Sequence, residues 1–284
     1  MMRNARSSAN ICKMKKLVTF GSHCMDHYRN LEGGVFFAGG GPVNMAVHAR
    51  ELGTNAEYAG AIGNDENGMY LLRQLKERNI PADHIHILEG KSAVCDVELR
   101  GNERILGDYD EGVLSSFVLP EEDITFIASA DLAVSDLWGR QEDAFPAILS
   151  AGGHLAFDAA DRPFDEITQK VVPYLDLLFF SSSEDDDSLR QIMRDFQNQG
   201  IGVVTAMRGE KGSVTLDQDG FHICGIHKTQ IITDTMGAGD SYIAGFLHGY
   251  LNGYDTEKCM ELGSRKASET LGYYGAFRQE GRHG

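Results

Sequence analysis

Short apolar runs and amphipathic segments alternate along most of the chain. The runs have the length and composition of buried strands, and they lie at 15–20, 57–62, 132–135, 154–158, 176–180 and 203–207. Between them, apolar residues recur every three or four positions. This spacing predicts helices at 43–52, 67–78, from 120 onward, 141–149, 165–172, from 181–187 to 198, and 255–271. The alternation predicts an α/β fold in which helices cover both faces of a mostly parallel central sheet.

The pattern changes between residues 84 and 112. Short alternating pieces at 93–99 and 104–107 turn over at Arg100–Glu103, which is a hairpin signal. Together with 28–37, they predict a small β sheet that projects from the core as a lid. His84 and His86 form an H-x-H pair, which we interpret as structural because the sequence offers no third metal ligand nearby. The predicted units are a leader at 1–14 and one domain at 15–284, with lid segments at about 28–38 and 84–112.

A run of small residues between a predicted strand and a predicted helix is the main candidate for chemistry. The β-branched residues 229–233 predict the strand, and Gly237-Ala238-Gly239-Asp240 leads into the helix. Glycines let backbone N–H groups converge, and the first turn of a helix leaves its N–H groups unpaired and electropositive. The turn is therefore a candidate anion site, where Asp240 could accept a proton from a hydroxyl beside a phosphate. A purely structural turn is the alternative on local grounds.

Two further segments carry polar residues next to predicted strand ends. Asp26 follows the first predicted strand, where open α/β sheets bind ligands. Gly39-Gly40-Gly41-Pro42-Val43-Asn44 opens the next helix, and its glycines allow the backbone to approach a ligand closely. The Asn44 amide can donate to and accept from vicinal hydroxyls. Ordinary turn and capping roles are the alternatives for both segments.

Composition and charge exclude several classes of partner. The chain has 26 Lys and Arg against 42 Asp and Glu, a net charge of −16, which disfavours nucleic acids and anionic membrane surfaces. No apolar run approaches the ~20 residues of a membrane span. The five cysteines are scattered and form no C-x-x-C pair, as expected of free thiols in the cytoplasm. The polar residues 1–14 lack the apolar core of a signal peptide, so we predict a disordered leader.

The three candidate segments are expected to meet in one crevice. They all follow predicted strands, and such ends line one edge of an open parallel sheet. Groups that bind hydroxyls would then face an anion-binding turn that carries an acid. The simplest joint interpretation is an enzyme that phosphorylates a hydroxyl group.

At this point the sequence resembles the PfkB, or ribokinase-like, family of carbohydrate kinases. Residues 39–46, with Gly53 and Gly63 downstream, match the first pattern of that family, and residues 234–240 with 244–247 match the second. The resemblance extends over about 15–277 and implies a three-layer ribokinase-like sandwich with a small β lid. It also implies ATP as the phosphate donor, Mg²⁺ as its partner ion, K⁺ as a candidate activator, and a sugar as acceptor.

The resemblance implies a role for individual residues. Asp240 would be the catalytic base, with the anion hole formed by the amides of Gly237, Ala238 and Gly239. Sugar hydroxyls would be held by Asp26, Gly39, Gly40 and Asn44. Nucleotide contacts would fall on Met207, Gly209, Gly212 and Ser264, while Glu184 would order Mg²⁺ through water and Asp234 would bind the monovalent cation.

Two patterns on the nucleotide side depart from the family. The family's Asn-x-x-Glu is Ser181-x-x-Glu184 here, and its Thr-Leu-Gly-x-x-Gly is residues 207–212, which begin Met-Arg-Gly. Arg208 is therefore a candidate phosphate contact, with an ordinary surface role as the alternative. Both departures concern the use of ATP and Mg²⁺ rather than the fold.

Other stretches resemble a subgroup that phosphorylates glycated amino acids such as fructoselysine at the 6-hydroxyl. They are residues 107–112, 137–139, 142–146 and 274–277. The alternatives are a kinase for another sugar, nucleoside or ketose phosphate, and a catalytically weak relative that only senses a sugar. A homodimer formed through the lid is a further expectation from the family.

Overall fold

The structure, a computed structural model, describes residues 14–184, 186–229 and 231–283. Of the predicted leader, only Met14 falls within these residues. The strands are β1 (Lys16–Gly21), β2 (Cys24–Tyr28), β3 (Val35–Gly39), β4 (Asn55–Gly63), β5 (Ile85–Leu88), β6 (Ala93–Arg100), β7 (Glu103–Asp110), β8 (Leu132–Asp136), β9 (Leu155–Asp158), β10 (Leu177–Ser181), β11 (Val203–Met207), β12 (Ser213–Asp217), β13 (Gly220–Cys224) and β14 (Arg282–His283). The helices are α1 (Gly41–Glu51), α2 (Glu66–Glu77), α3 (Glu121–Ala128), α4 (Phe145–Ser150), α5 (Glu166–Val171), α6 (Asp186–Asn198), α7 (Ala238–Leu251) and α8 (Thr256–Thr270).

Over the described residues, the larger sheet has nine strands in the order β13-β12-β11-β10-β9-β8-β1-β4-β5. Its strands are parallel except β12 and β13, which form an antiparallel hairpin at one edge. Neighbouring residues of β1 face opposite sides and both are buried: Leu17 belongs to one apolar core and Val18 to the other. A strand buried on both faces needs a continuous apolar run, which is the pattern found in the sequence. The predicted α/β architecture is confirmed.

The smaller sheet has the order β14-β3-β2-β6-β7 and forms the lid. The predicted hairpin at Arg100–Glu103 is present between β6 and β7. Two details of the prediction are wrong. Residues 85–88, which we assigned to the lid, are β5 and extend the large sheet beside β4. Asp26 lies within lid strand β2, and not in a turn at the end of the first strand.

The predicted strand at 229–233 is also absent from the described part of that segment. Ile231 and Ile232 are exposed, and the N–H of Thr233 donates to the carbonyl of Leu271 at the end of α8. β-branched residues favour a strand only where a pleated surface can pack against them. Here the segment runs from β13 towards α7 without such a surface.

The H-x-H pair has a structural partner. Asp123 in α3 is buried and contacts both histidines. His84 Nδ1 lies 2.6 Å from Asp123 Oδ1, and His86 Nε2 lies 2.6 Å from Asp123 Oδ2. This contact ties β5 to α3, in line with the structural interpretation. Across the described ranges, no group of His, Cys, Asp and Glu side chains is arranged to hold a metal ion, and no helix is long and apolar enough to cross a bilayer.

Candidate active site

The anion turn lies at the start of α7, as the sequence predicts. Gly237 is in the left-handed region with φ 71°, and Ala238 begins the helix. The amides of Ala238, Gly239 and Asp240 belong to the first helical turn, where N–H groups have no acceptor within the helix. That of Ala238 makes only a long bond, 3.4 Å, to the carbonyl of Thr235. The turn therefore directs a positive dipole end and N–H groups at one point.

Asp240 and Asn44 come together at this turn although they are 196 residues apart. The Asn44 amide nitrogen donates to Asp240 Oδ2 at 2.7 Å. Burial raises the pKa of Asp240, and the Asn44 hydrogen bond partly opposes that rise. The bond joins α1 to α7, so it fixes the carboxylate relative to the glycine-rich turn before Asn44.

Close contacts require glycines at positions 39–41, where β3 meets α1. Gly40 has φ 105°, and a Cβ there would lie 2.6 Å from the carbonyl oxygen of Ser22. A Cβ on Gly39 would lie 2.1 Å from Asp26 Oδ2, so the Asp26 carboxylate packs directly on the Gly39 backbone. A Cβ on Gly41 would meet Asp240 Oδ1 at 3.3 Å. The candidate acceptor-binding residues therefore lie together, next to the candidate base.

Asp26 is 4% exposed, and its pKa is raised to about 7. The main cause is burial, and the negative charge of Asp240 adds to it. Cys24 Sγ donates to Asp26 Oδ1 at 3.7 Å, which is a weak interaction. Near neutral pH, Asp26 can therefore either donate to or accept from a hydroxyl group of a ligand.

Two more acids lie at this edge of the sheet, and the sequence analysis missed both. Asp136 ends β8 and Asp158 ends β9, and each is almost fully buried. Burial raises the pKa of Asp136 to about 7 and that of Asp158 well above its usual range, with Asp240 adding to both. The rule that pointed to Asp26, an acid at the carboxyl end of a parallel strand, would have identified them.

Three buried polar atoms at the site have no hydrogen-bond partner among the described residues. They are Asn44 Oδ1, Asp136 Oδ1 and the hydroxyl of Tyr109, which belongs to lid strand β7. Asp136 Oδ2 does accept a bond, from Ser22 Oγ at 2.8 Å. Buried polar atoms are rarely left unpaired in a folded protein. This set therefore suits a ligand with several hydroxyl or amine groups.

The candidate nucleotide residues lie at the end of β11, in the turn that follows it and on α8. Met207 ends β11, and a Cβ on Gly239 would lie 3.7 Å from Met207 Cε. Gly212 has φ 80° in the turn that leads to β12. Ser264 Oγ, on α8, donates to the carbonyl of Gly225 at 3.0 Å and accepts from the N–H of His227 at 2.7 Å. Met207 is thus the residue of this set that the structure places against the anion turn.

Ser181, which replaces the family's Asn, ends β10, and Glu184 lies between β10 and α6. Ser181 and Glu184 are both exposed, and the Glu184 N–H donates to Ser182 Oγ at 3.1 Å. Arg208 pairs with Asp186 Oδ1 at 2.6 Å and donates to the carbonyl of Glu184 at 3.4 Å. Arg208 therefore holds the start of α6 beside the turn between β11 and β12.

Asp234 is fully buried and accepts three hydrogen bonds. Its donors are the Tyr28 hydroxyl at 2.5 Å and the N–H groups of Met236 and Gly275, both at 2.9 Å. These bonds join lid strand β2, the anion turn and the C-terminal segment. A carboxylate has about four acceptor positions, so one position of Asp234 remains for a further partner.

The lid contacts the segment that leads into the anion turn. The N–H of Arg104 in β7 donates to Thr235 Oγ1 at 3.1 Å. The Arg104 charge also lowers the pKa of Asp26 and Asp240, as a secondary effect beside burial. Of the lid acids, Glu111 pairs with Arg140, whereas Asp108 and Asp110 are exposed. The lid thus brings the positive charge of Arg104 near the buried acids, whereas Asp108 borders a surface cavity with Asp96 and Glu98.

Comparison with known proteins gives consistent matches over nearly the whole chain. The family model described as pfkB family carbohydrate kinase matches residues 14–279. Fructoselysine 6-kinase of Escherichia coli (strain K12) is 38% identical over 264 residues, which are 93% of this chain and 100% of the relative. A fructosamine kinase of Bacillus subtilis (strain 168) is 32% identical over 92% of this chain and 93% of its own length.

Solved structures give the same fold at lower sequence identity. Ribokinase of Arabidopsis thaliana, complexed with ribose and ATP, has a TM-score of 0.81 at 19% identity and covers 93% of this chain and 94% of its own. Ribokinase of Thermotoga maritima has a TM-score of 0.78 at 19% identity, with coverage of 93% and 94%. At these identities the likeness establishes the fold.

Proposed function

The chain belongs to the pfkB family of carbohydrate kinases, and we propose that it transfers the γ-phosphate of ATP to the 6-hydroxyl of a fructosamine such as fructoselysine. The observation that carries the chemistry is the hydrogen bond from Asn44 to Asp240 at the N-terminus of α7. It joins the acceptor-binding side to the phosphate-binding turn. The choice of acceptor rests on the fructoselysine and fructosamine kinases that this chain resembles.

Asp240 acts as the general base. It accepts the proton of the acceptor hydroxyl while that oxygen attacks the γ-phosphorus in line, the bond from phosphorus to the bridging oxygen breaks, and ADP leaves. Its raised pKa brings it closer to the working pH, at which a general base is most effective. Asn44 keeps the carboxylate oriented, and Asp26 and Asp136 hold neighbouring hydroxyls of the same sugar. Phosphoryl transfer depends mainly on such positioning and on charge stabilisation.

The first turn of α7 supplies the charge stabilisation that this chain itself offers. The N–H groups of Gly237, Ala238 and Gly239 face the phosphoryl oxygens, and the helix dipole favours negative charge there. Mg²⁺, carried by ATP, shields the phosphate charges when bound. The exposed Glu184 carboxylate suits a contact to that ion through water. Asp234, with one free acceptor position, remains our candidate for K⁺.

The charge of the site supports a cationic acceptor. A fructosamine carries at C1 a secondary amine that is protonated near neutral pH, whereas fructose carries a hydroxyl there. Asp26, Asp136 and Asp158 bring several acids to the site, and Asp136 Oδ1 has no partner among the described residues. An ammonium group would satisfy such an oxygen with a charge-assisted hydrogen bond. The amino-acid end would then extend towards the lid charges Asp108, Asp110, Arg100 and Arg104.

An assay of ADP release over sugars and glycated amino acids tests the proposal. We expect kcat/KM for fructoselysine at least ~10-fold above that for fructose. Asp26→Ala should damage the use of both acceptors, because both present the same sugar hydroxyls. Asp108→Asn with Asp110→Asn should damage only the use of the glycated acceptor. Glu32→Gln, which changes an exposed acid in the turn between β2 and β3, is the control for a lid acid outside this group.

Three results would contradict the proposal in different ways. Equal or better use of free fructose, ribose or a nucleoside would refute the fructosamine assignment and leave a kinase of another acceptor. Equal damage to both acceptors from the lid variants would refute the placement of the amino-acid end. Sugar binding without any ADP release would identify a sensor, although the intact Asn44–Asp240 pair argues against that outcome.

A further inference from the structure

The C-terminal segment 275–283 contacts both halves of the site. At one end, the N–H of Gly275 donates to Asp234 Oδ2, and a Cβ on Gly237 would lie 2.6 Å from Ala276 Cβ. At the other end, β14 pairs with β3 in the lid, with Arg282 opposite Phe36. One short segment is therefore in contact with the anion turn and with the strand that leads to the acceptor-binding glycines.

Within this segment, Gln279 contacts Ala38, the residue directly before those glycines. Its side-chain oxygen accepts from the N–H of Ala38, and its side-chain nitrogen donates to the carbonyl of Ala38, both at 2.9 Å. β2 pairs with the other edge of β3, and β14 pairs with this edge only at Val35 and Phe36. The amide of Gln279 thus takes the place of a neighbouring strand at Ala38. It satisfies two backbone groups that would otherwise lack a partner.

Ala38 is directly followed by the residues that form the acceptor side. Gly39 packs on the Asp26 carboxylate, and Gly40, with φ 105°, begins the turn into α1 and Asn44. A small shift of Ala38 would therefore be passed to Asp26 and Asn44. A displacement of about 1 Å in such groups is enough to lower the rate of an enzyme strongly.

Gln279 is itself held in place from the core. The Tyr70 hydroxyl, on α2, donates to the carbonyl of Glu280 at 2.8 Å, and Arg78 donates to the carbonyl of Arg278. Phe277 is fully buried in the core that includes α1 and α7. The segment is thus anchored on both sides of Gln279, so its amide can act as a fixed reference for Ala38.

We propose that Gln279 is a positioning residue, which sets the acceptor-binding turn 39–44 relative to the anion turn 237–240. It touches neither the acceptor nor ATP and acts through Ala38. The effect of this contact on catalysis rests on the proposed kinase function. The contact between Gln279 and Ala38 is present whatever the reaction is.

Kinetics of Gln279→Ala and Gln279→Glu test the role. We expect the acceptor KM to rise about 5- to 10-fold, because one or two hydrogen bonds of ordinary net strength are lost, and the ATP KM to stay within about twofold. Glu keeps the size of the side chain but cannot donate to the Ala38 carbonyl, so it should not restore the wild-type KM. Gln197→Ala is the matched control, since Gln197 Nε2 also donates to a backbone carbonyl at 2.9 Å, that of Asp217.

Hydrogen exchange provides a second measurement that needs no substrate. The amide of Ala38 should exchange at least ~10-fold faster in Gln279→Ala than in the wild type, while amides of β1 keep their protection. Unchanged exchange at Ala38 would refute the contact. An unchanged acceptor KM, or equal rises in both KM values, would refute the positioning role. If another sugar proves to be the acceptor, the fructosamine assignment fails, and the same measurements with that sugar still decide the role of Gln279.

Discussion

At the scale of single residues, the position of Asp240 supports its proposed role as the general base. It lies in the first turn of α7, it receives a hydrogen bond from Asn44, and burial raises its pKa. The first two features hold the carboxylate in one orientation, and the third makes it a better proton acceptor near neutral pH.

Replacement of Asp240 by Asn tests its role as the base. The variant keeps the size of the side chain but cannot accept the proton, so kcat should fall at least ~10²-fold, with ATP binding retained. Steady-state kinetics and a nucleotide titration measure the two quantities. Asp255→Asn is the control: Asp255 caps α8 by accepting from the N–H of Lys258 at 2.8 Å, and Asn caps helices equally well. Near-normal turnover of folded Asp240→Asn would remove Asp240 from this role.

Gly237 is the more restrictive of the two glycines in the anion turn. A Cβ on Gly239 would make ordinary contacts with Met207, the nearest at 3.7 Å. Gly237 has φ 71°, and its Cβ would overlap Ala276.

Gly237→Ala should therefore lose both stability and activity. Gly253→Ala is a matched control, because Gly253 has φ 72° and nothing within 4 Å of the added Cβ. The control should cost about 1 kcal/mol from its left-handed backbone alone. Gly237→Ala should cost about 1–3 kcal/mol more, because overlap with Ala276 is added. Urea unfolding and kinase assays compare the two, and equal losses would mean that Ala276 yields readily.

At the scale of elements, the junction of β10 and α6 carries the departure from the family's metal pattern, at Ser181, the last residue of β10. Glu184 is exposed there, and Arg208 bridges from the nucleotide turn to Asp186 and to the Glu184 carbonyl. This arrangement fixes the backbone of Glu184 and leaves its carboxylate directed to solvent.

If Glu184 assists Mg²⁺, Glu184→Gln should raise the Mg²⁺ concentration needed for half-maximal rate. Ser181→Asn, which restores the family residue, should leave that concentration unchanged or lower it. Glu122→Gln removes an exposed acid from the first turn of α3 and serves as the control. A titration of rate against Mg²⁺ measures all three variants. An unchanged curve for Glu184→Gln would leave Glu184 as an ordinary charge at a helix N-terminus.

The elements themselves were largely predictable, with an informative exception. The strand at 203–207 and the hairpin at Arg100–Glu103 follow from local patterns, since the apolar runs are buried on both sheet faces. The strand predicted at 229–233 failed because Ile231 and Ile232 have no sheet to pack on and remain exposed. The lid boundary at 84 failed because β5 pairs with β4, a choice that depends on where the edge of the large sheet lies.

At the scale of the whole molecule, the fold gathers several acids at one sheet edge, which affects stability. Asp26 and Asp136 have pKa values of about 7, above the usual 3.8 for Asp. The folded chain therefore retains protons that the unfolded chain releases. Stabilisation from these groups is fully present below about pH 4 and is lost as pH rises through about 7.

Asp136→Asn should remove the destabilisation that the buried Asp136 charge causes at high pH. Asn is uncharged and can still accept a hydrogen bond from Ser22 Oγ. Its Tm should exceed that of the wild type at pH 8, and the difference should shrink towards pH 4–5. Asp161→Asn is the control, because Asp161 has a side chain that is 79% exposed. Calorimetry at both pH values measures the difference, and a pH-independent effect of Asp136→Asn would contradict the raised pKa.

The sequence by itself determined the layered α/β fold, the anion turn and the identity of Asp240, Asn44 and Asp26 as candidates. Burial on both faces of a parallel sheet and the unpaired amides of a helix start are local consequences of residue type and spacing. Family resemblance added the phosphate donor and the class of acceptor.

Only the tertiary structure decided which distant residues meet. It placed Asn44 on Asp240, Ala276 on Gly237 and Gln279 on Ala38, and it gathered Asp136 and Asp158 at the sheet edge. These contacts join segments up to 241 residues apart. No local pattern encodes such distances, because they follow from the order of the strands in the sheets and from the pairing of β14 with lid strand β3.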